Sequence, residues 1–173
     1  MSQVIYIIMG VSGSGKTTIG ELLAKELNIY FFDGDSFHPP ENISKMSEGK
    51  PLTDSDREIW LDRLRSLIFT HLKQNKSIVL ACSALKQSYR NYLTASSTNI
   101  RFIYLKGEYQ LIAARMALRK NHYMKPSMLK SQFNALEEPE DAIIIDITDP
   151  PDLIVKKILI LIPIDINQLN NVR

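Results

Sequence analysis

Eight consecutive residues constrain this chain more than any others: Gly10, Val11, Ser12, Gly13, Ser14, Gly15, Lys16 and Thr17 fit G-x-x-x-x-G-K-[ST]. An apolar run at residues 4–9 precedes them, and residues 18–27 read as helix. The chain must therefore turn tightly from a buried strand into a helix, and glycine relieves the backbone crowding of such a turn. Successive N–H groups then point inward at the positive end of the helix dipole, making a cradle for an anion. In that setting Lys16 reaches the β- and γ-phosphates of a nucleotide, and the Thr17 hydroxyl ligates Mg²⁺. Thr18 joins the nucleotide-contacting set as the next helical residue.

The rest of the chain repeats the strand-then-helix pattern. Short β-branched or aromatic runs at 4–9, 30–33, 77–81, 100–105 and 143–147 alternate with helical patterns at 16–27, 54–74, 86–94, 108–120 and 151–161. This predicts an α/β fold in three layers, a five-stranded parallel sheet flanked by helices. Four of the strands lack clean alternation, as strands covered on both faces do. Thr53 and Asp56 resemble a capping box ahead of the long third helix. Trp60 and Leu64 share a helical face and read as core, and His71 as a surface residue.

A chain of 173 residues is expected to form one domain over 1–173 with one substantial core. Its 45% hydrophobic and 23% charged content is that of a soluble globular protein. A net charge of +2 gives no broad basic field, which argues against a nucleic-acid partner. The lone cysteine, Cys82, reads as a core residue, excludes an internal disulfide and fits a cytoplasmic location. The run at 4–9 leads into a phosphate loop and reads as a core strand rather than a signal peptide. The apolar stretch 153–166 is too short to span a bilayer and reads as a helix closing the sheet, so no membrane partner is expected.

Two segments break the alternation, 34–52 and 121–139. In open parallel sheets ligands bind beyond the carboxyl ends of the strands, and long irregular segments there are usually functional. We read the first, extended to about residue 60, as a substrate-binding segment and the second as a mobile lid.

Strand ends carry the candidate chemistry. Asp33 and Asp35 flank Gly34 at the end of the second strand. One carboxylate of such a pair holds the water shell of a metal while the other takes the proton of an attacking hydroxyl, or the three residues simply form a turn. After the third strand, Ser83 reads as a helix cap, and Lys86 and Arg90 lie four apart, either gripping an anionic, hydroxyl-rich ligand or forming a solvated basic face. Arg115, Arg119 and Lys120 precede the lid. They either counter phosphate charge on closure or stand as an exposed basic helix end favoured by the dipole.

Longer blocks make the pattern specific: D-G-D-S-F-H-P at 33–39, N-I-S-K-M-S-E-G-K-P-L-T-D-S-D-R at 42–57, C-S-A-L-K-Q-S-Y-R at 82–90, H-Y-M at 122–124 and L-K-S-Q-F-N-A-L-E-E-P at 129–139. With the phosphate loop, and in this order, they resemble the gluconokinases, small P-loop sugar-acid kinases related to shikimate and adenylate kinases. The resemblance implies ATP-dependent phosphorylation of D-gluconate to 6-phosphogluconate, with Mg²⁺, by a cytoplasmic homodimer. It implies that Asp35 deprotonates the acceptor hydroxyl and that Asp33 supports Mg²⁺ through water, an assignment whose reverse stays open. Arg57 would clamp the carboxylate, and His38, Lys86, Arg90, His122 and Gln132 would line the acceptor site. Lys16 and Arg119 would counter charge in transfer, with Arg115 and Arg119 also touching the nucleotide. A kinase of another small hydroxy acid, shikimate-like, and a non-catalytic nucleotide-binding module remain the alternatives. The chain departs from the family pattern at Ile59, Leu118, Tyr123 and Lys125, mostly around the lid.

Overall fold

The structure, a computed structural model, describes residues 3–118 and 126–162, with the side chains of 126 and 127 left aside. Its centre is strand β1 (Ile5–Met9), all five residues of which are buried. Successive side chains point to opposite faces of a strand, so this apolar run serves two cores. Tyr6 and Ile8 pack with Ile19 and Leu23 of α1 (Lys16–Leu27) and with Ile154 and Ile158 of α7 (Pro151–Leu161). Ile5, Ile7 and Met9 pack with Trp60, Leu64 and Ile68 of α3 (Asp54–Lys73) and with Leu93 of α4 (Gln87–Thr94). Three layers follow from the burial of both faces, as the sequence predicts.

The remaining strands are β2 (Tyr30–Asp33), β3 (Ile78–Ala81), β4 (Ile100–Lys106) and β5 (Ile143–Asp146). All pairings are parallel, in the order β2-β3-β1-β4-β5. The chain leaves β1 towards one edge to form β2 and later crosses to the other side to form β4. The carboxyl end of β1 is therefore the topological switch point where open α/β sheets bind ligands, and the glycine-rich loop occupies it.

Segment 34–52, expected to be irregular, holds a short 3-10 turn (Gly34–Phe37) and helix α2 (Pro40–Ser47). Pro40 stands in the first turn of α2, where a fixed φ and a missing N–H cost nothing. The capping box of α3 forms as expected. Thr53 Oγ1 accepts from Asp56 N at 3.2 Å, and Asp56 Oδ2 accepts from Thr53 N at 2.6 Å. Cys82 is buried in the α3-side core, and that burial pushes its thiol pKa up to about 12.

Helices α5 (Tyr109–Ala117) and α6 (Pro126–Ala135) bracket the start of the predicted lid. Met128 and Leu129 of α6 are buried in the α1-side core. Beyond α6 the chain is tied down: Glu137 N donates to Leu85 O at 2.9 Å, and Glu138 accepts from Lys106 Nζ at 2.8 Å. Arg119, Lys120 and His122, together with the rest of 119–125, lie outside the described residues. Among the described residues no helix is long and apolar enough to cross a membrane.

Candidate active site

The phosphate loop joins β1 to α1, and the first residue of α1 is Lys16 itself. Gly13 takes φ +82, and a Cβ there would sit 2.7 Å from Met116 Cγ, so only glycine lets α5 close against the loop. Gly10 N donates to Ser83 O at 3.3 Å, joining the loop to the end of β3. Lys16 Nζ donates to Val11 O at 3.1 Å, which folds the lysine back over the cradle.

Thr17 Oγ1 donates to Asp33 Oδ2 at 3.0 Å, and Asp33 Oδ1 accepts from Asp35 N at 3.0 Å. The turn reading of Asp33-Gly34-Asp35 holds: Asp33 caps the turn with one oxygen and accepts from the Thr17 hydroxyl with the other. A hydroxyl and a carboxylate oxygen suit hard Mg²⁺, which prefers a few protein oxygens plus substrate phosphates to a full protein cage. Among the described residues no cluster of three or more His, Cys, Asp or Glu is placed to hold a metal ion.

The turn bearing Asp35 is pressed on β3. A Cβ on Gly34 would lie 2.4 Å from Ala81 O, so glycine is required by space alone. From the other side Trp60 Nε1 donates to Gly34 O at 2.7 Å. His38 stacks on the Trp60 indole, ring centres 4.5 Å apart and planes 11° from parallel. Burial pushes the His38 pKa down, with Asp35 opposing and Arg57 adding to the effect. Asn42 Nδ2 lies 3.4 Å from His38 Nδ1 and donates to Asp56 O at 2.7 Å.

Arg57 and Lys86 form the far wall. Arg57 Nη1 donates to Leu52 O at 2.8 Å, and the Arg57 Cζ lies over the Tyr89 ring, 5.7 Å from its centre. Lys86 Nζ donates to both oxygens of Asp54, at 2.8 and 2.7 Å, and Tyr89 Oη also donates to Asp54. The Lys86 bond, then the Tyr89 bond, hold the Asp54 carboxyl below its usual range. Asp54 is the site residue that sequence reasoning missed. It was absorbed in the helix-start pattern, although its spacing of three from Arg57 places them 3.7 Å apart.

A cleft of about 180 Å³ gathers Asp35, His38, Arg57, Lys86 and Gln132 with Asp54. The phosphate cradle, lined by Gly13, Gly15, Thr17, Thr18 and Asp33, shares Ser12, Lys16 and Asp35 with it. On the loop's far side, Arg115 lines a hollow with Gly13, Gly15, Thr18, Asp149 and Pro151, and its Nη2 donates to Ile147 O at 2.7 Å.

Three expectations at the end of β3 need correction. Arg90 is 1% exposed, and its Nη1 donates to Ala84 O and Leu85 O at 2.9 and 3.1 Å. It braces the left-handed turn at Ala84 (φ 43) and does not line the cleft. Lys86 does not share a helical face with Arg90, because Lys86 is the extended N-cap of α4. Ser83 does not cap α4; the Glu137 carboxylate does, accepting from Gln87 N at 2.6 Å. An anion already occupies that helix N-terminus, which sequence proximity alone does not reveal.

A donor cradle and an acceptor cleft with a common wall are the architecture of the P-loop kinases that phosphorylate small molecules. Residues 12–162 match the shikimate kinase family. The thermoresistant gluconokinase of Escherichia coli is 44% identical over 150 residues, spanning 84% of this chain and 86% of that protein. A sugar kinase of a Janibacter species, solved unliganded, superposes with a TM-score of 0.89 at 38% identity, covering 96% of this chain and 98% of that one. A gluconokinase from Sinorhizobium meliloti gives 0.82 at 40% identity, covering 92% and 90%. The chain belongs to the gluconokinase family, within the wider group of shikimate-kinase-like enzymes.

Proposed function

We propose that this protein transfers the γ-phosphoryl group of ATP to the primary hydroxyl of D-gluconate, giving 6-phosphogluconate and ADP. The observation that carries the reading is the position of Asp35, which lines both the phosphate cradle and the acceptor cleft. Gluconate bears one carboxylate and a row of hydroxyls. The carboxylate pairs with Arg57 on the far wall, and the hydroxyls meet His38 and Lys86, which directs the terminal hydroxyl towards Asp35. The Asp35 carboxylate takes the hydroxyl proton as the new O–P bond forms and the bond from the γ-phosphorus to the bridging oxygen of ADP breaks. Lys16 counters the charge on the transferring oxygens.

Thr17 and Asp33 would hold Mg²⁺, Asp33 through water, and the ion would neutralise the β- and γ-phosphate oxygens. The hollow beside Arg115 and Pro151 suits the adenine base. Arg119 and His122, carried over from the family pattern, complete the proposal on the lid side, and segment 121–139 acts as the lid that excludes water. We take the enzyme to work in the cytoplasm as a homodimer, without nucleic-acid or membrane partners; light scattering on the purified protein checks the mass. The decisive experiment couples ADP release to a spectrophotometric readout across a panel of sugar acids and shikimate. Turnover with gluconate far above the other acids supports the reading. Preference for another acid overturns it.

A further inference from the structure

One peptide unit of the phosphate loop is held from both ends. The carbonyl of Val11 accepts from Lys16 Nζ at 3.1 Å, and from Ser14 N at 3.3 Å. The N–H on the other side of that same peptide bond, Ser12 N, donates to Gln132 Oε1 at 2.6 Å. Carbonyl and N–H point in opposite directions across a planar trans peptide. Fixing the N–H therefore fixes where the carbonyl points, and with it where the ammonium of Lys16 is moored.

Gln132 stands on α6, 120 residues from Ser12, in the wall that Met128, Ser131 and Ala135 give to the acceptor cleft. In the packed position of α6, Met128 and Leu129 are 5% and 1% exposed, and Glu137 just beyond it is bonded to Leu85 O and Gln87 N. Ser12 is itself 8% exposed and borders both the cradle and the cleft. A buried N–H beside an anion cradle has two satisfactory partners, a phosphate oxygen or a protein oxygen. Here a side chain of the acceptor wall supplies the protein oxygen.

We propose that Gln132 is a positioning residue for phosphoryl transfer, orienting the Val11–Ser12 peptide and through it Lys16. The inference rests on the kinase reading above and adds a role beyond lining the acceptor cleft. It links α6, and so the acceptor wall, to the lysine that meets the transferring phosphoryl group.

The test compares wild type with Gln132→Ala and Gln132→Glu, the latter keeping an oxygen acceptor. Amide exchange of Ser12, followed by NMR, is protected in wild type and speeds up in Gln132→Ala. In the same variant kcat falls roughly tenfold or more, by a larger factor than KM for gluconate rises, and the affinity for an ATP analogue stays within about threefold. Gln132→Glu restores Ser12 protection and part of kcat. Unchanged exchange in Gln132→Ala overturns the proposal, and so does a rise in KM for gluconate at unchanged kcat, which would mark an acceptor contact only. If wild type phosphorylates no sugar acid, the gluconate reading fails separately. Acceptor-free ATP hydrolysis then supplies the turnover, which drops in Gln132→Ala if Lys16 is misplaced and stays constant if the proposal is wrong.

Discussion

The indole N–H of Trp60 donates to the carbonyl oxygen of Gly34 at 2.7 Å, so helix α3 holds the turn on which Asp35 stands. Trp60 is 1% exposed and also supports the His38 ring. Trp60→Phe keeps an aromatic face for His38 but leaves Gly34 O without that donor. An unsatisfied buried polar group costs about 1–3 kcal/mol, and the loosened turn lets Asp35 wander. Urea unfolding is expected to show a loss in this range, with kcat falling more than KM for ATP rises. Unaltered stability and rate would show that the bond does not hold the turn.

Much of this arrangement was legible in the sequence, for reasons that differ by residue. The loop at 10–17 reads directly because its glycines and its lysine are dictated by local backbone geometry and a nearby anion. The strands read because two-sided burial leaves continuous apolar runs such as Ile5–Met9. The role of Arg90 did not read. A basic residue near a strand end has the same sequence signature whether it turns to a ligand or to the carbonyls of Ala84 and Leu85. Glu137 capping α4 was illegible because its partner lies 50 residues away. Helix α2 was not legible because it is eight residues long and starts at Pro40, within a segment rich in turn-forming residues.

Under the proposed mechanism, a substitution at Asp35 separates nucleotide binding from transfer. Asp35→Asn keeps the shape of the side chain and removes the carboxylate proposed to take the proton. General-base removal costs roughly 10²–10⁴-fold, so kcat for sugar-acid phosphorylation is expected to drop by at least about 10²-fold. Affinity for an ATP analogue, measured by calorimetry, should change little. Near-normal turnover would remove Asp35 from the base role and return attention to Asp33.

Arg90 is expected to matter for stability rather than for acceptor binding. Arg90→Met fills most of the same volume and abandons the carbonyls of Ala84 and Leu85 as well as Gln87 Oε1, bonded to Nη2 at 2.7 Å. Hydrogen bonds from a charged donor contribute about 1.5–3 kcal/mol, and for a domain of this size each kcal/mol is worth roughly 2–4 °C of Tm. A Tm lower by several degrees is expected, with KM for gluconate in the folded enzyme close to wild type. A large rise in that KM at unchanged Tm would place Arg90 in acceptor binding after all.

Acid stability should carry the mark of His38. Burial lowers its pKa below the ordinary 6.5, so in the pH interval beneath 6.5 the unfolded chain binds a proton that the folded chain refuses. Stability rises with pH wherever the unfolded state binds more protons. The His38 contribution is therefore complete above 6.5, and it is lost progressively as pH falls towards the depressed folded-state value. Asp35 and Arg57, facing His38 from the turn and from α3, pull its pKa in opposite directions, with burial the larger effect. His38→Gln removes the titration while keeping a neutral polar side chain. The variant loses the stack on Trp60 and is expected to be less stable than wild type at pH 8. Its stability should nevertheless fall less steeply below 6.5, so that the two urea-unfolding curves converge as the solution is acidified. Parallel curves across that interval would mean that His38 takes up its proton as readily folded as unfolded.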